Sequence, residues 1–306
     1  MLNRNLNVLV ITNSHQVPPD TYGGTNRIVH LLCEGLSQRG HRVNLIAGPG
    51  SKEYSGKTYT YQAQSRNYLD RAYRRLHFQW ISWLASKDVD IVHSFKFWPE
   101  YHWLVNQLKC PLIYRQGNLL HQYEVDQVIK HRKNNFIIQG ISYSQIKKIY
   151  PKDKLRIIYN AVPTDNLKYH SKPKSPPYLA FLGRLNYNKG VDTAIEVSQK
   201  TGIPLKIAGT INQEEKGATD FFEQKVKPFL GNNCEWIGAI NDEQKSEFLG
   251  GAVAMLFPIR WQEPFGIVMP ESLACGTPVI ATRMGSVPEV IKDGETGFIC
   301  DSVTEM

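Results

Sequence analysis

Two glutamates eight residues apart, in Glu263-Pro-Phe-Gly-Ile-Val-Met-Pro-Glu271, have the residue type and spacing for chemistry in this 306-residue chain. Eight helical residues rise about 12 Å, too far for a carboxylate pair acting on one bond. The spacing suits an extended ligand held at two points, because carboxylates accept paired hydrogen bonds from sugar or ribose hydroxyls. A plainer reading, an acid answering a helix N-terminus, accounts for Glu263 equally well. In a second stretch, Gly183-Arg-Leu-Asn-Tyr-Asn-Lys-Gly190, Arg184 and Lys189 bracket a strand-to-helix turn. A planar fork of donors and a compact point charge together suit a diphosphate, unless both cations are simply solvated. A third stretch, residues 13–27, holds Gly23 and Gly24 where a first strand gives way to a helix. There the backbone could approach an anion at the helix N-terminus; the alternative is a flexible loop. It is not G-x-G-x-x-G, which leaves a nicotinamide-dependent dehydrogenase a distant reading.

These stretches need strands and helices to position them. Short β-rich apolar runs fall at residues 6–11, 43–47, 90–93, 111–115, 136–141 and 155–158, and again at 178–182, 205–208, 234–237, 254–257, 278–281 and 298–300. Amphipathic segments lie between many of them. In 25–39, Ile28, Leu31, Leu32 and Leu36 recur at helical spacing and Gly40 is a stop signal; 192–200 is stopped by Gly202. Such alternation indicates βαβ units and parallel sheets covered on both faces. It occurs twice, separated by a Pro-, Lys- and Ser-rich stretch at 160–177 that reads as a linker. The expected architecture is α/β, two tandem Rossmann-like domains with a cleft between them, at 1–160 and 161–306. Ligands of such sheets bind at the carboxyl ends of the strands.

Length alone favours two domains, and 42% apolar with 21% charged residues excludes disorder as the main state. No apolar run approaches the ~20 residues that span a bilayer, and the N-terminus lacks a signal-peptide pattern. Five scattered cysteines, Cys33, Cys110, Cys234, Cys275 and Cys300, form no C-x-x-C pair. That disfavours a disulfide framework or zinc site and fits a reducing, cytoplasmic compartment. The net charge of +8 is uneven: residues 1–165 hold 22 Lys and Arg against 11 Asp and Glu, and the remainder holds 14 against 17. The basic half could face an anionic ligand, a membrane surface or nucleic acid, or be ordinary solvated surface. No nucleic-acid module is recognisable. Residues 66–83 mix Arg71, Arg74 and Arg75 with Tyr68, Tyr73, Phe78, Trp80 and Trp83. The favoured expectation is a helix packing these aromatics into the first domain; the alternative is a basic amphipathic helix at a membrane surface. His93, ending a buried-type strand, is expected to be a satisfied core histidine.

The chain resembles the family 4 glycosyltransferases, retaining enzymes of the GT-B fold, over nearly its whole length. The resemblance rests on Gly23-Gly24, Asp90-Ile-Val-His-Ser94, Ile158-Tyr-Asn-Ala-Val162, and Phe181-Leu-Gly-Arg-Leu185 with Lys189-Gly190. Its most specific part runs from Phe257 through Glu263 and Glu271 to Val279, followed in order by Gly285-Ser-Val-Pro-Glu289 and Asp293-Gly-Glu-Thr-Gly-Phe298. It implies an acceptor-side first domain and a second domain that binds a nucleoside diphosphate-sugar as co-substrate, with no cofactor and no metal. Glu271 would bind ribose, and Glu263 the donor sugar's hydroxyls beside the backbone of Phe265 and Gly266. Arg184 and Lys189 would neutralise the diphosphate, and Gly24, with Gly23, would close over it from the first domain. Glu263, Arg184 and Lys189 are thus the catalytic candidates. Transfer would reach a hydroxyl of a glycan, a lipid or a small acceptor by front-face attack, the leaving phosphate oxygen taking the proton.

Two departures from the family pattern bear on these expectations. Many members carry a His after the strand that here reads Pro111-Leu-Ile-Tyr-Arg-Gln-Gly-Asn118; Arg115, Gln116 or Gly117 stands there, with His121 slightly later. Arg115, Gln116, Asn118 and His121 are therefore the candidates for sugar or acceptor contacts. The family also continues for several helices where this chain ends at Met306, so a truncated chain is expected, the alternative function being a non-catalytic remnant that binds nucleotide sugar. Peripheral contact of the basic first domain with a membrane completes the expected partners.

Overall fold

The computed structural model describes residues 4–19, 24–62, 67–96, 108–132, 135–213, 215–231 and 233–306. The chain divides into two compact units, Met1–Tyr159 and Asn160–Met306.

Unit 1 is built on a parallel sheet of β1 (Asn7–Ile11), β2 (Arg42–Ala47), β3 (Thr58–Thr60), β4 (Ile91–Ser94), β5 (Leu112–Arg115), β6 (Phe136–Gly140) and β7 (Leu155–Ile157). The order is β3-β2-β1-β4-β5-β6-β7, so the chain reverses its direction of travel between β1 and β4. Alternate residues face opposite sides of a strand. In β1, Val8 and Val10 accordingly join Val29 and Cys33 of helix α1 (Gly24–Gln38), while Leu9 and Ile11 join Phe78 and Ile81 of helix α2 (Tyr68–Ala85). Helices α3 (Gln122–His131) and α4 (Tyr143–Ile146) follow β5 and β6.

Unit 2 repeats the plan with β8 (Leu179–Leu182), β9 (Leu205–Ala208), β10 (Cys234–Gly238), β11 (Ala254–Phe257), β12 (Val279–Thr282) and β13 (Gly297–Cys300). Its order, β10-β9-β8-β11-β12-β13, puts the reversal between β8 and β11. Helices α5 (Val191–Thr201), α6 (Ala218–Lys225), α7 (Asp242–Gly250), α8 (Val268–Ala274) and α9 (Val287–Val290) connect the strands. All the pairings within both sheets are parallel.

Four expectations change. The run 58–60 is an edge strand that its three residues, Thr-Tyr-Thr, did not signal. The stretch expected as a linker is held onto unit 2: Leu167 is buried in its core, and the backbone amides of Lys168, His170 and Lys174 bond to Ser246, Cys275 and Gly251. Its Pro and Lys content marks irregular backbone, which these hydrogen bonds nevertheless fix. The aromatics of α2 do not pack inward as a set. Phe78 is buried, but Tyr68, Tyr73, Trp80 and Trp83 are exposed. His93 is buried against Phe95, with ring centroids 4.6 Å apart, but its Nε2 has no hydrogen-bond partner.

Burial, with a smaller contribution from the nearby Arg115 charge, pushes the His93 pKa from 6.5 down to about 3, against a weaker opposing influence of the Gln139 side chain. The unfolded chain therefore takes up the extra proton first. His93 lets stability stand in full above pH 6.5 and removes it as pH falls toward 3. Near pH 5 the loss attributable to this one group should be on the order of 2 kcal/mol. Urea denaturation of wild type and His93→Gln at neutral pH and near pH 5 checks it. The variant should lose less stability on acidification, and equal losses would refute the assignment.

Candidate active site

In unit 2 the sheet reverses at the carboxyl ends of β8 and β11, where open parallel sheets bind ligands. The chain leaves β8 through Gly183 and Arg184 into a single turn, Tyr187–Lys189, capped by Asn186, whose side chain accepts from the Lys189 amide at 3.0 Å. Asn186 also donates to Glu215 Oε1 at 2.8 Å. Gly190 follows with φ +70°, and a Cβ there would overlap the Pro258 carbonyl oxygen. The two loops are therefore pressed together at a point only glycine permits. From the other side, the Arg260 amide bonds to the Asn188 carbonyl at 2.9 Å, and its guanidinium reaches Asp192 at 2.9 Å.

This clamp brings Lys189 to Glu263. Lys189 Nζ lies 2.5 Å from Glu263 Oε2, and Trp261 Nε1 donates to the same oxygen at 2.8 Å. The ammonium also sits 5.1 Å from the Trp261 ring and 5.8 Å from the Phe257 ring, within reach of their π faces. Lys189 and Glu263 are both at least nine-tenths buried. Both donors converge on Oε2, and among the described residues no hydrogen bond engages Glu263 Oε1. The Glu263 backbone is pinned as well: its carbonyl accepts from the Ser286 amide at 2.9 Å, and a Cβ on Gly285 would strike it. Ser286 Oγ, fully buried, has no hydrogen-bond partner. The chain then turns through Phe265 and Gly266, the latter at φ +71°, into α8.

Glu271 lies within α8 and is held separately. Lys245 Nζ, from α7, bonds to Glu271 Oε1 at 2.6 Å and to Asp242 at 3.0 Å. Lys245 is 7% and Glu271 6% exposed, so both charges are withdrawn from water together. Lys245 and Trp261 were not anticipated from the sequence. Lys245 carried a signal: it stands at i, i+3 and i+4 with Phe248 and Leu249, a lysine on an inward stripe. Trp261, two residues before Glu263, carried none.

Arg184 is half-buried; one guanidinium nitrogen lies 3.4 Å from Glu215, and its Nε is buried without a partner. The other candidates belong to unit 1. Gly23 lies outside the described residues. Gly24 opens α1, and a Cβ on Gly117 would press on Thr25, so the loop after β5 rests on the first turn of that helix. Arg115 is buried with its guanidinium 4.6 Å from the Phe95 ring, and burial lowers its pKa to about 10. Gln116 spends its side chain locally, donating to Glu124 and accepting from the Asn118 amide. Asn118 and His121 are exposed, His121 as the residue preceding α3. Among the described residues, no group of three or more His, Cys, Asp or Glu is placed to hold a metal ion.

One family model, "Glycosyl transferases group 1", matches residues 164–305, and another, "Glycosyltransferase Family 4", matches residues 22–136, one in each unit. The chain belongs to the family 4 glycosyltransferases. D-rhamnosyltransferase WbpZ of Pseudomonas aeruginosa is 23% identical to this glycosyltransferase over 313 residues, 92% of the chain and 79% of the relative. A protein from the cps region of Klebsiella pneumoniae is 29% identical over 157 residues, 48% of the chain, and the match spans only 42% of that relative's length. Among solved structures, sucrose-phosphate synthase from Thermosynechococcus elongatus superposes with a TM-score of 0.79 at 18% identity, over 97% of this chain and 87% of that one. Anabaena HepE in complex with UDP-glucose superposes with a TM-score of 0.74 at 15% identity, over 97% and 87%. The fold of this glycosyltransferase is GT-B.

Removing one partner of a buried ion pair strands the other charge at a cost of about 3–5 kcal/mol, whereas replacing both with neutral groups costs far less. Lys245→Met should therefore destabilise strongly, and Lys245→Met combined with Glu271→Gln should recover most of the loss. Denaturation of the two single variants and the double gives the coupling energy; additive effects would contradict the pairing.

Proposed function

We propose that this glycosyltransferase moves a sugar from a nucleoside diphosphate-sugar to an acceptor hydroxyl with retention of configuration and without a metal ion. The observation that carries this reading is Glu263: buried at the β8–β11 reversal, it has one oxygen committed to Lys189 and Trp261 and the other uncommitted. A fixed carboxylate with a free oxygen is suited to accept hydrogen bonds from sugar hydroxyls. Glu271, on the neighbouring helix, would accept from the ribose hydroxyls. The backbone of Phe265 and Gly266 would lie beside the sugar.

Arg184 and Lys189 would face the diphosphate. As the bond from the anomeric carbon to the phosphate oxygen breaks, negative charge grows on the leaving group, and fixed cations stabilise it more than they stabilise the bound donor. The acceptor oxygen forms its bond on the face the diphosphate leaves, and its proton passes to the departing phosphate oxygen. The protein's part is to position the reactants and stabilise the leaving charge.

The acceptor would be a hydroxyl of a glycan, a lipid or a small molecule, and the setting the reducing cytoplasm, in keeping with five free cysteines. The described residues include no helix long and apolar enough to cross a membrane. We infer peripheral contact between the basic unit 1 and a membrane. UDP-glucose, the ligand of the Anabaena neighbour, is the first donor to try.

Glu271→Ala should weaken both the intact donor and the free nucleoside diphosphate, whereas Glu263→Ala should spare the free diphosphate and weaken only the donor. Hydrogen bonds to charged groups are worth about 1.5–3 kcal/mol, so losses of roughly ten- to a hundredfold are expected. Titration calorimetry with both ligands decides it, and equal losses of free diphosphate in the two variants would end this division of roles. Turnover should survive a chelator; its abolition by the chelator and recovery with magnesium would overturn the metal-free course.

A further inference from the structure

Three acids around the sheet reversal of unit 2 are closely paired. Glu263 meets Lys189 at 2.5 Å, Glu271 meets Lys245 at 2.6 Å and Asp192 meets Arg260 at 2.9 Å. Glu215 is different. Its Oε2 stands 3.4 Å from an Arg184 guanidinium nitrogen. That is well beyond the roughly 2.7–2.9 Å of a strong charged hydrogen bond. The two side chains are 30% and 35% exposed, so the pair stays open to a ligand.

The acid is nonetheless placed. It lies in the loop between β9 and α6, and β9 adjoins β8 in parallel, so both strands deliver their loops to one edge. The Glu215 amide bonds to the Asn212 carbonyl at 3.0 Å, and its own carbonyl accepts from the Ala218 amide at 3.1 Å. Its Oε1 accepts from the Asn186 side chain at 2.8 Å, and Asn186 is fixed in turn by capping the Tyr187–Lys189 turn.

Arg184 is the cation that the reading above gives to the diphosphate, and its Nε is a buried donor with no partner. A diphosphate oxygen reaching that guanidinium comes beside the Glu215 carboxylate. Like charges so close weaken binding, and they do so in proportion to the ligand's charge. The donor and the product differ in that charge. A terminal phosphate loses its second proton near pH 6, whereas a phosphate esterified to a sugar has no second proton to lose. The free nucleoside diphosphate therefore carries about one negative charge more than the donor at neutral pH.

We propose that Glu215 sets the preference of this site for the nucleoside diphosphate-sugar over the free diphosphate it leaves behind, by repelling the more highly charged product. The proposal rests on the donor-binding reading and adds discrimination at that same site.

The test is titration calorimetry of the full chain with UDP, ADP and GDP. The tightest of the three is then compared with its glucose ester and its bare nucleoside. Glu215→Gln should tighten the free diphosphate roughly three- to tenfold more than the glucose ester, and leave the bare nucleoside unchanged. Glu215→Asp, which keeps the charge, should retain the wild-type ratio of product to donor affinity. Near pH 5.5, where the terminal phosphate has largely regained its proton, the two gains in Glu215→Gln should converge. Equal gains at neutral pH, losses with both ligands, or an aspartate variant that behaves like the glutamine one would each overturn the proposal and leave the donor-binding reading standing. A wild type that binds none of the three diphosphates would overturn both.

Discussion

Two carboxylates kept charged inside the protein set the terms for the rest of unit 2. Withdrawing an ionised carboxylate from water is costly, and the penalty is met only by an opposite charge in good geometry. Glu263 has Lys189 and Glu271 has Lys245, each pair closing at 2.5–2.6 Å with both partners nearly buried. Such pairs are poor sources of net stability, since packed apolar side chains would serve as well. Their value lies in orientation. A carboxylate fixed through one oxygen presents the other in a single direction, and Glu263 is held this way by two donors on Oε2.

That requirement passes outward to the loops. Lys189 and Glu263 come from different strands, and they meet because β8 and β11 are neighbours across the sheet reversal. Parallel neighbours present their carboxyl ends at the same edge, so the following loops must share space. Here they share it tightly: Gly190 lies against Pro258, Gly209 against Gly183, and Gly285 against Glu263, with no room for a Cβ at any of the three. At Gly190 and Gly285 a left-handed backbone adds a second reason for glycine. The buried pair and the glycine contacts are one construction, because a loop displaced by a methyl group would pull the lysine from its carboxylate.

Much of this was legible beforehand. The apolar runs marked every strand except the edge pair-former Thr58–Thr60, whose three residues include no aliphatic side chain to report burial. Arg184, Lys189, Glu263 and Glu271 were recognisable as charged residues at strand-to-helix corners, and the structure sets all four beside β8, β11 and α8. Their partners were harder to read. Lys245 is distant in sequence from Glu271, and its inward position shows only once the helix face is known. Trp261 donates through an indole that sequence would assign to packing. The stretch 160–177 misled in the opposite direction: composition reports what a segment resists forming, and backbone bonds to Ser246, Gly251 and Cys275 do not register in it. On α2, periodicity correctly signalled a helix but could not say which of two apolar faces met the core.

Charge shows the same gap between inventory and placement. Residues 160–306 carry more acid than base, 18 against 14, yet the proposed ligand of unit 2 is a dianion or more. The contradiction dissolves locally. At the sheet reversal, Lys189 and Arg260 balance Glu263 and Asp192, and Arg184 is within 3.4 Å of Glu215. A diphosphate entering there would meet cations whose own partners are close enough to hold them in place and few enough to leave them attractive. The excess of unit 1 is different in kind. Its ion pairs, such as Arg4–Asp90 and Lys52–Glu34, occupy its few acids on partly exposed sites and leave most of its bases to the solvent. Fields from such surfaces act over about a Debye length rather than at one atom. They suit a broad anionic partner, whereas the paired, buried charges of unit 2 suit a small one.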